Sequence, residues 1–212
     1  MGHQRIHFIV NPIAGKGERV LNEDYLDQFF IKSFHRLTVK YSQYKTHATT
    51  LTKESVAEGA DIIVACGGDG TINEVASCLV GTGIPLGIIP FGSGNGLASN
   101  LHIPKNLREA LRLLRNAHTI RIDAGRMNEC YFFSNTGVGF DASVIKNYES
   151  SNRRTLSGYL GACMTSFKEL KKPQEIGIKA NGKQWRTNPF SFTSGNNGDM
   201  NVTGRTYVAW NW

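Results

Sequence analysis

Residues 67–74, with the sequence GGDGTINE, constrain the fold of this chain more than any other segment. They follow the apolar residues 62–66, which are typical of a buried strand, and residues 71–80 then predict a helix. Glycines let the backbone adopt positive φ and approach a ligand without a Cβ atom in the way. The helix start directs unpaired N–H groups and the positive end of its dipole toward the same place. We therefore predict an anion-binding turn in which Asp69 is available to a metal ion or a reacting hydroxyl group.

A purely structural explanation of this segment also exists. Thr71 as N-cap and Glu74 three residues later match the capping box of an ordinary helix start. Capping accounts for these two residues, but it does not account for three glycines and a carboxylate together. The pattern therefore favours a phosphate or nucleotide site.

Composition narrows the classes of partner. The 212 residues include 24 Lys and Arg against 17 Asp and Glu, which gives a formal net charge of +7. This balance suits nucleotides and anionic lipid surfaces. Because the basic residues are scattered and are not interleaved with aromatic residues, we expect no nucleic-acid partner.

Cysteine usage and hydropathy indicate the compartment. The four cysteines are far apart, with no C-x-x-C pair, so we expect free thiols in a reducing compartment. The N-terminus lacks the pattern of a secretory signal, and no apolar run approaches the ~20 residues that span a bilayer. We therefore expect a cytoplasmic protein that meets a membrane only peripherally, from its surface.

The first half of the chain alternates strand and helix patterns. The predicted strands are residues 5–10, 37–41, 62–66 and 85–90. The predicted helices are residues 18–34, 48–58, 71–80, a short one from 97, and 107–114. This order predicts an α/β fold with a parallel, doubly wound sheet, in a domain of residues 1–118.

The pattern changes near residue 119. Strands are predicted at residues 119–124, 130–135, 175–180, 183–187 and 190–193, with one helix at about 155–170. Asn181 and Gly182, between two of these strands, are a strong hairpin signal. We predict a mostly antiparallel, β-rich second domain of residues 119–212.

Three glycine-rich loops are expected at one edge of the predicted sheet. Residues 11–17, 67–70 and 91–96 each follow a parallel strand, and the carboxyl ends of such strands form the usual ligand edge. None of the loops fits the P-loop pattern or the G-x-G-x-x-G pattern after the first strand. The sequence therefore predicts a nucleotide site of a different design.

The three loops together resemble a known family. Asn11, Pro12 and Gly15, then GGDGTINE at 67–74, then PFGSGN at 90–95 are similar to the signature loops of the diacylglycerol kinase catalytic domain. This family includes bacterial lipid kinases, sphingosine kinases and ceramide kinases. The resemblance extends through residues 122–123 and 135–142. It implies a phosphofructokinase-like or NAD kinase-like nucleotide domain and ATP-dependent phosphorylation of a lipid hydroxyl at a membrane surface, in lipid metabolism such as phospholipid biosynthesis.

The resemblance also assigns roles to residues. It implies that Asp69 is catalytic, by orienting the acceptor hydroxyl or by helping to deprotonate it. It implies that Asp141 and Ser143 lie at the lipid substrate, and that Mg²⁺ accompanies ATP; it assigns no metal ligands here. The nucleotide-binding residues that it implies are Asn11, Pro12, Gly15, Ser42, Gly67, Gly68, Asp69, Gly70, Thr71, Asn73, Glu74, Ser93, Gly94 and Asn95.

The chain departs from the family pattern in several places. Gly96 stands where many diacylglycerol kinases have Asp, and Ser143 stands where sphingosine kinases have an acidic residue. The second domain looks truncated, because family members have a longer one that supplies further strands and acidic residues. We therefore expect good nucleotide binding but poor phosphoryl transfer. An exposed aromatic tail at Trp210 and Trp212 would favour a homodimer.

Two alternatives remain open. NAD kinases share GGDG and a following helix, but their Asn-Glu pair typically lies in a separate loop, whereas Asn73 and Glu74 follow GGDG directly here. The other alternative is a nucleotide-binding module without catalysis. ATP binding without turnover on any lipid or dinucleotide would favour it.

Overall fold

A computed structural model describes residues 3–15, 21–116, 118–139, 143–144, 146–147, 161–166, 176–180, 183–187, 191–195 and 204–210. The chain divides into two compact units, one of Met1–Phe133 with Val202–Trp212 and one of Ser134–Asn201. The predicted assignment of nucleotide binding to residues 1–118 and of the lipid to residues 119–212 stays a prediction.

The structure contains strands and helices in alternation through the first unit. In the described residues of both units, the strands are β1 (Gln4–Val10), β2 (His35–Tyr41), β3 (Ile62–Gly67), β4 (Pro85–Pro90), β5 (His118–Met127), β6 (Cys130–Phe132), β7 (Asn135–Gly139), β8 (Ile176–Ala180), β9 (Lys183–Thr187), β10 (Ser191–Gly195) and β11 (Gly204–Trp210). The second unit contains β7 to β10. The helices of the first unit are α1 (Glu23–Leu26), α2 (His47–Ala57), α3 (Asp69–Leu79), α4 (Gly96–Asn100) and α5 (Leu107–Arg115).

The first unit is built on a sheet with the order β2-β1-β3-β4-β11-β5-β6. The four strands from β2 to β4 pair in parallel, which confirms the predicted parallel sheet. Their register brings Val10 level with Tyr41 and Cys66, and Cys66 level with Ile89. The carboxyl ends of these four strands therefore lie along one edge.

The packing of the apolar core holds the four parallel strands, and therefore their carboxyl edge, in place. Phe8, Ile9 and Val64 are fully buried in the central strands, as the continuous apolar runs require when helices cover both faces of a sheet. Leu114 of α5 packs so closely on β4 that a Cβ atom at Gly87 would lie 2.8 Å from its Cδ1. Each fully buried aliphatic or aromatic side chain contributes about 1.5–3 kcal/mol to the free energy of unfolding.

The predicted helix at 18–34 is wrong in extent. Only the four residues of α1 are α-helical in the described part of that range, and turns follow up to β2. Asn22 caps the start, because its side chain accepts a hydrogen bond from the Tyr25 N–H. Phe29 and Phe30 are buried from turns instead of from a continuous helix, because tertiary burial outweighs the weak helix propensity of aromatic residues.

The second unit is antiparallel in its described strands. β7 pairs with β10, and β8 pairs with β9, which confirms a separate β-rich part. Ala180 lies opposite Lys183, as a two-residue hairpin requires, although the turn at 181–182 lies outside the described residues. Of the predicted helix at 155–170, residues 161–166 are described and are helical.

The end of the chain differs from the predicted free tail. β11 lies between β4 and β5, parallel to the first and antiparallel to the second, so Trp210 belongs to an interior strand of the sheet. Trp212 lies outside the described residues, and the homodimer stays a prediction. All four cysteines are free, as expected. No helix in the described ranges has the length and hydropathy needed to cross a membrane.

Candidate functional site

The three glycine-rich loops leave the sheet side by side. The strand pairing continues into them, because the Asn11 N–H donates to the Cys66 carbonyl at 2.9 Å and the Phe91 N–H donates to the Gly67 carbonyl at 2.8 Å. The loop after β2 is held in the same way, since the Ser42 N–H donates to the Val10 carbonyl at 2.8 Å. Four adjacent loops therefore meet at the carboxyl edge.

Glycines allow these loops to touch through their backbones. Gly15 has φ of 81°, and a Cβ atom there would overlap the Phe91 carbonyl oxygen. A Cβ atom at Gly92 would lie 2.6 Å from the Cα atom of Gly68. Close contact between loops therefore explains these glycines without any ligand.

Gly70 is different from the other glycines of GGDG. A Cβ atom at Gly70 would meet no atom within 4 Å, whereas one at Gly67 would lie 2.5 Å from the Thr71 Cβ atom. Its φ is also outside the left-handed region. Neither packing nor backbone conformation requires glycine at position 70, and the space beside this residue at the start of α3 is open.

Asp69 joins the GGDG turn to the third loop. One carboxylate oxygen accepts the Asn95 N–H at 2.8 Å, and the other accepts the Gly96 N–H at 2.6 Å. These are the backbone groups at the start of α4, where a carboxylate is favourable. A carboxylate has about four lone-pair sites, so two remain on this exposed side chain. Asp69 is therefore fixed by the loop but still open to a ligand.

The capping-box explanation is wrong. α3 begins at Asp69 with Gly68 as its N-cap, and no side chain caps it. The Thr71 hydroxyl instead accepts the Asn11 side-chain N–H at 3.2 Å, and the Glu74 carboxylate accepts the Thr46 backbone N–H at 3.2 Å. Residues 69, 71 and 74 thus reach three different neighbouring loops.

The loop after β2 carries features that the sequence did not predict. Thr46 has φ of 70°, a left-handed conformation that is unusual for a β-branched residue. Tyr44 is 63% exposed and its ring stacks on His47, with centroids 4.3 Å apart. The His47 Nδ1 atom accepts the Gln43 N–H at 3.1 Å, which links the first residue of α2 to this loop. Within this loop, the sequence predicts only Ser42 as a nucleotide-binding residue.

The remaining predicted residues differ in exposure. Asn73 is exposed on α3, Ser93 is exposed on the third loop, and Pro12 is half-buried. Asn95 is only 1% exposed; its side-chain N–H donates to the Gly92 carbonyl, and its Oδ1 atom has no hydrogen-bond partner in the described residues. Gly94 lies against Asp69, where a Cβ atom would come 2.8 Å from Oδ2. Their roles toward a nucleotide stay predictions.

The residues assigned to the substrate belong to the second unit. Asp141 lies outside the described residues. Ser143 is exposed in a described helical pair, 143–144. Their predicted contact with a lipid stays a prediction.

Metal ligands and nucleophiles are two further features of the described residues. In those residues, no cluster of three or more His, Cys, Asp or Glu side chains could hold a metal ion. Complete burial strongly raises the pKa of the Cys66 thiol, which lies beneath the turn. Cys66 is therefore a neutral apolar group in the core and not a nucleophile.

Comparison with known proteins places this arrangement in a family. Residues 5–127 match the diacylglycerol kinase catalytic domain. Diacylglycerol kinases of Staphylococcus saprophyticus and Staphylococcus aureus are each 29% identical to the chain over 182 residues, or 83% of it. An uncharacterized Synechocystis protein is 31% identical over 180 residues.

The chain is shorter than these relatives. It spans 58% and 56% of the two staphylococcal proteins and 40% of the Synechocystis protein. The crystal structure of a diacylglycerol kinase from Bacillus anthracis matches 94% of the chain with a TM-score of 0.65 at 23% identity, and 67% of that structure is covered. This structural likeness confirms the fold. With the match over residues 5–127, it follows that the chain belongs to the diacylglycerol kinase catalytic-domain family.

Proposed function

We propose that this chain uses ATP to phosphorylate the hydroxyl group of a lipid of the diacylglycerol class. The observation that carries the proposal is the set of contacts from Asp69, Thr71 and Glu74 to three neighbouring loops. These contacts give the strand edge one defined shape around the start of α3. The family and its lipid-kinase relatives support the choice of reaction.

The nucleotide phosphates would bind at the start of α3. The first hydrogen bond of the helix runs from the Ile72 N–H to the Gly68 carbonyl, so the N–H groups of residues 69–71 have no acceptor within the helix. The helix has 11 residues, and its dipole favours an anion at this end. The open space beside Gly70 gives a phosphate oxygen access to these groups.

The chemistry asks little of the protein beyond position and charge. ATP would supply the phosphoryl group, and the Mg²⁺ that accompanies it would neutralise the developing charge. The two remaining lone-pair sites of Asp69 fit a role in holding that metal ion or in orienting the acceptor hydroxyl. Carboxylate oxygens are suitable ligands for Mg²⁺, which usually keeps several waters. The hydrogen bonds to Asn95 and Gly96 restrict how far the carboxylate can turn.

The lipid would be met at a membrane surface by a protein that resides in the cytoplasm. The net charge of +7 favours approach to anionic lipid headgroups. ATP, Mg²⁺ and the lipid are the partners that the proposal requires.

A nucleotide-binding module without catalysis is the second candidate. It is favoured by the fact that both Asp69 oxygens already accept backbone N–H groups, as expected of a residue that only shapes the loop. A small-molecule kinase of the NAD kinase type differs from the main proposal only in its acceptor.

A phosphoryl-transfer assay separates these functions. Radiolabelled ATP and Mg²⁺ would be incubated with the chain and, in separate reactions, diacylglycerol, phosphatidylglycerol, a sphingoid base or NAD. We expect label in phosphatidic acid, and its loss in Asp69→Asn. Asp61→Asn is the matched control, because Asp61 is also exposed but contacts Arg5 before β3 begins.

Three results would contradict the proposal. Label only in NADP would indicate the small-molecule kinase. Saturable ATP binding with no labelled acceptor would indicate the binding module. Equal transfer by Asp69→Asn and by the control would remove Asp69 from the reaction.

A further inference from the structure

A group of three arginines on α5 lies apart from the nucleotide loops. Arg108, Arg112 and Arg115 are all exposed, and their spacing of four and three residues aligns them along one face of the helix. The opposite face carries Ala110, Leu111 and Leu114 into the core. In the described part of the chain, none of the three arginines forms an ion pair. They form a concentrated positive charge that no carboxylate of the described residues pairs with.

The stability of α5 does not explain why all three of these positions carry arginine. Arg112 and Arg115 lie in the last turn, where cations interact favourably with the helix dipole. Arg108 lies in the first turn, where a cation is unfavourable, and like charges four residues apart repel each other. Asn106 already caps this end by accepting the N–H groups of residues 108 and 109. A bound anion would offset both unfavourable terms.

The arginines also line a cavity. Its volume is about 340 Å³, and its lining residues are Gln28, Phe29, Arg108, Arg112, Arg115 and Asn116. The Arg115 Nε–H donates to the Asn116 side-chain oxygen at 3.4 Å, which restrains one guanidinium group at the wall. Phe29 is 8% exposed and contributes an apolar side. The cavity thus combines the N–H donors of three arginine side chains with one apolar surface.

We propose that this cavity is a second anion site, which binds a phosphate group carried by a small organic ligand. Planar guanidinium groups bind phosphate oxygens in pairs, and this favours phosphate over halide ions. The volume is in the range of small-molecule sites and leaves room for more than a bare phosphate ion. The Phe29 surface suits the carbon atoms next to the phosphate. The ligand is either a soluble phosphate monoester or the headgroup of an anionic phospholipid.

Two binding experiments distinguish these sources. In the first, inorganic phosphate and glycerol 3-phosphate are titrated into ¹⁵N-labelled protein, and the amide and arginine Nε–H signals of α5 are followed. In the second, co-sedimentation is measured with phosphatidylcholine vesicles that either contain or lack phosphatidic acid. The variant is Arg108→Gln with Arg112→Gln. The control is Arg36→Gln with Lys53→Gln, which removes the same charge from exposed residues elsewhere.

We expect the α5 signals to respond and the α5 variant to bind at least about tenfold more weakly, while the control changes binding by less than about twofold. A response to glycerol 3-phosphate alone assigns a soluble ligand, and sedimentation that depends on phosphatidic acid assigns a headgroup. Equal losses in variant and control would mean general charge attraction and would overturn the proposal. The proposal would also be overturned if the protein bound neither glycerol 3-phosphate nor the vesicles that contain phosphatidic acid. Melting temperatures of both variants verify that they fold.

Discussion

Gly70 and Gly92 belong to neighbouring loops but are glycines for different reasons. A side chain at Gly92 would collide with the backbone of Gly68, while a side chain at Gly70 would meet nothing within 4 Å. We expect Gly92→Ala to lower the free energy of unfolding by at least about 2 kcal/mol. We expect Gly70→Ala to change the free energy of unfolding by no more than about 1 kcal/mol, because alanine has a higher helix propensity than glycine. We expect the same substitution to weaken ATP binding by about tenfold.

Denaturant unfolding and calorimetric titration with ATP would measure the two quantities. Unchanged ATP affinity in Gly70→Ala would show that no phosphate lies beside this residue.

We expect His7 to make the stability of the fold depend on pH. The residue is 5% exposed on β1, and its Nδ1 atom lies 3.5 Å from the Glu58 carboxylate. Burial lowers the pKa of His7 below its ordinary value of 6.5, and the nearby Lys40 and Arg5 charges lower it further, against the raising effect of Glu58. The folded state therefore binds fewer protons than the unfolded state just below pH 6.5.

We expect the free energy of unfolding to fall as the pH is lowered from 6.5 toward the folded-state pKa of His7. The slope should not exceed about 1.4 kcal/mol per pH unit for one proton. Chemical unfolding of the wild type and of His7→Gln at several pH values would test this, with the variant showing a flatter dependence. The Glu58 carboxyl, whose pKa is lowered mainly by its hydrogen bond with Lys40, acts in the same direction but only near and below pH 4.5. Identical slopes above that value would exclude His7 as the cause.

The sequence predicts the loops that form the candidate site, but not the contacts between those loops. The three glycine loops follow strand ends, and that much is visible as a pattern. Thr71 and Glu74 match a capping box by local spacing, yet their partners Asn11 and Thr46 are 60 and 28 residues away. Such contacts depend on which strands become neighbours in the sheet, and local spacing contains no information about that.

The loop between β2 and α2 is held in a strained conformation. Thr46 has φ of 70°, and its N–H is fixed by the Glu74 carboxylate of α3. Asparagine tolerates left-handed conformations better than a β-branched residue does. We therefore expect Thr46→Asn to raise the free energy of unfolding by about 0.5–1 kcal/mol, with Thr50→Asn, an exposed position within α2, as the control that does not. A loss of stability in Thr46→Asn would show that the threonine side chain itself supports the loop.

Elements with strong periodicity are predicted well. The bounds of β8 and β9 agree with the predicted strands to within one residue, and α5 follows its apolar spacing. The helix predicted at 18–34 is wrong because its apolar residues are buried from turns. Periodicity shows which residues will be buried, but it does not determine the backbone conformation that buries them.

At the scale of the whole molecule, the fold class follows from the alternation of strands and helices. The place of β11 does not. It inserts between β4 and β5, although more than 70 residues separate it from β5 in the chain. Pairing over such a distance is decided by the exposed edges that the rest of the sheet leaves. The sequence of residues 204–210 carries no signal for that choice.

The central claim is that the three glycine-rich loops at the carboxyl edge form a nucleotide site around the start of α3. The most direct measurement is a titration of the ¹⁵N-labelled chain with Mg²⁺ and ATP, followed by amide chemical shifts. We predict saturable shifts at residues 11–15, 67–71 and 92–95, and weaker binding in Gly70→Ala. Shifts confined to residues after 130 or to α5, or none at millimolar ATP, would contradict the account.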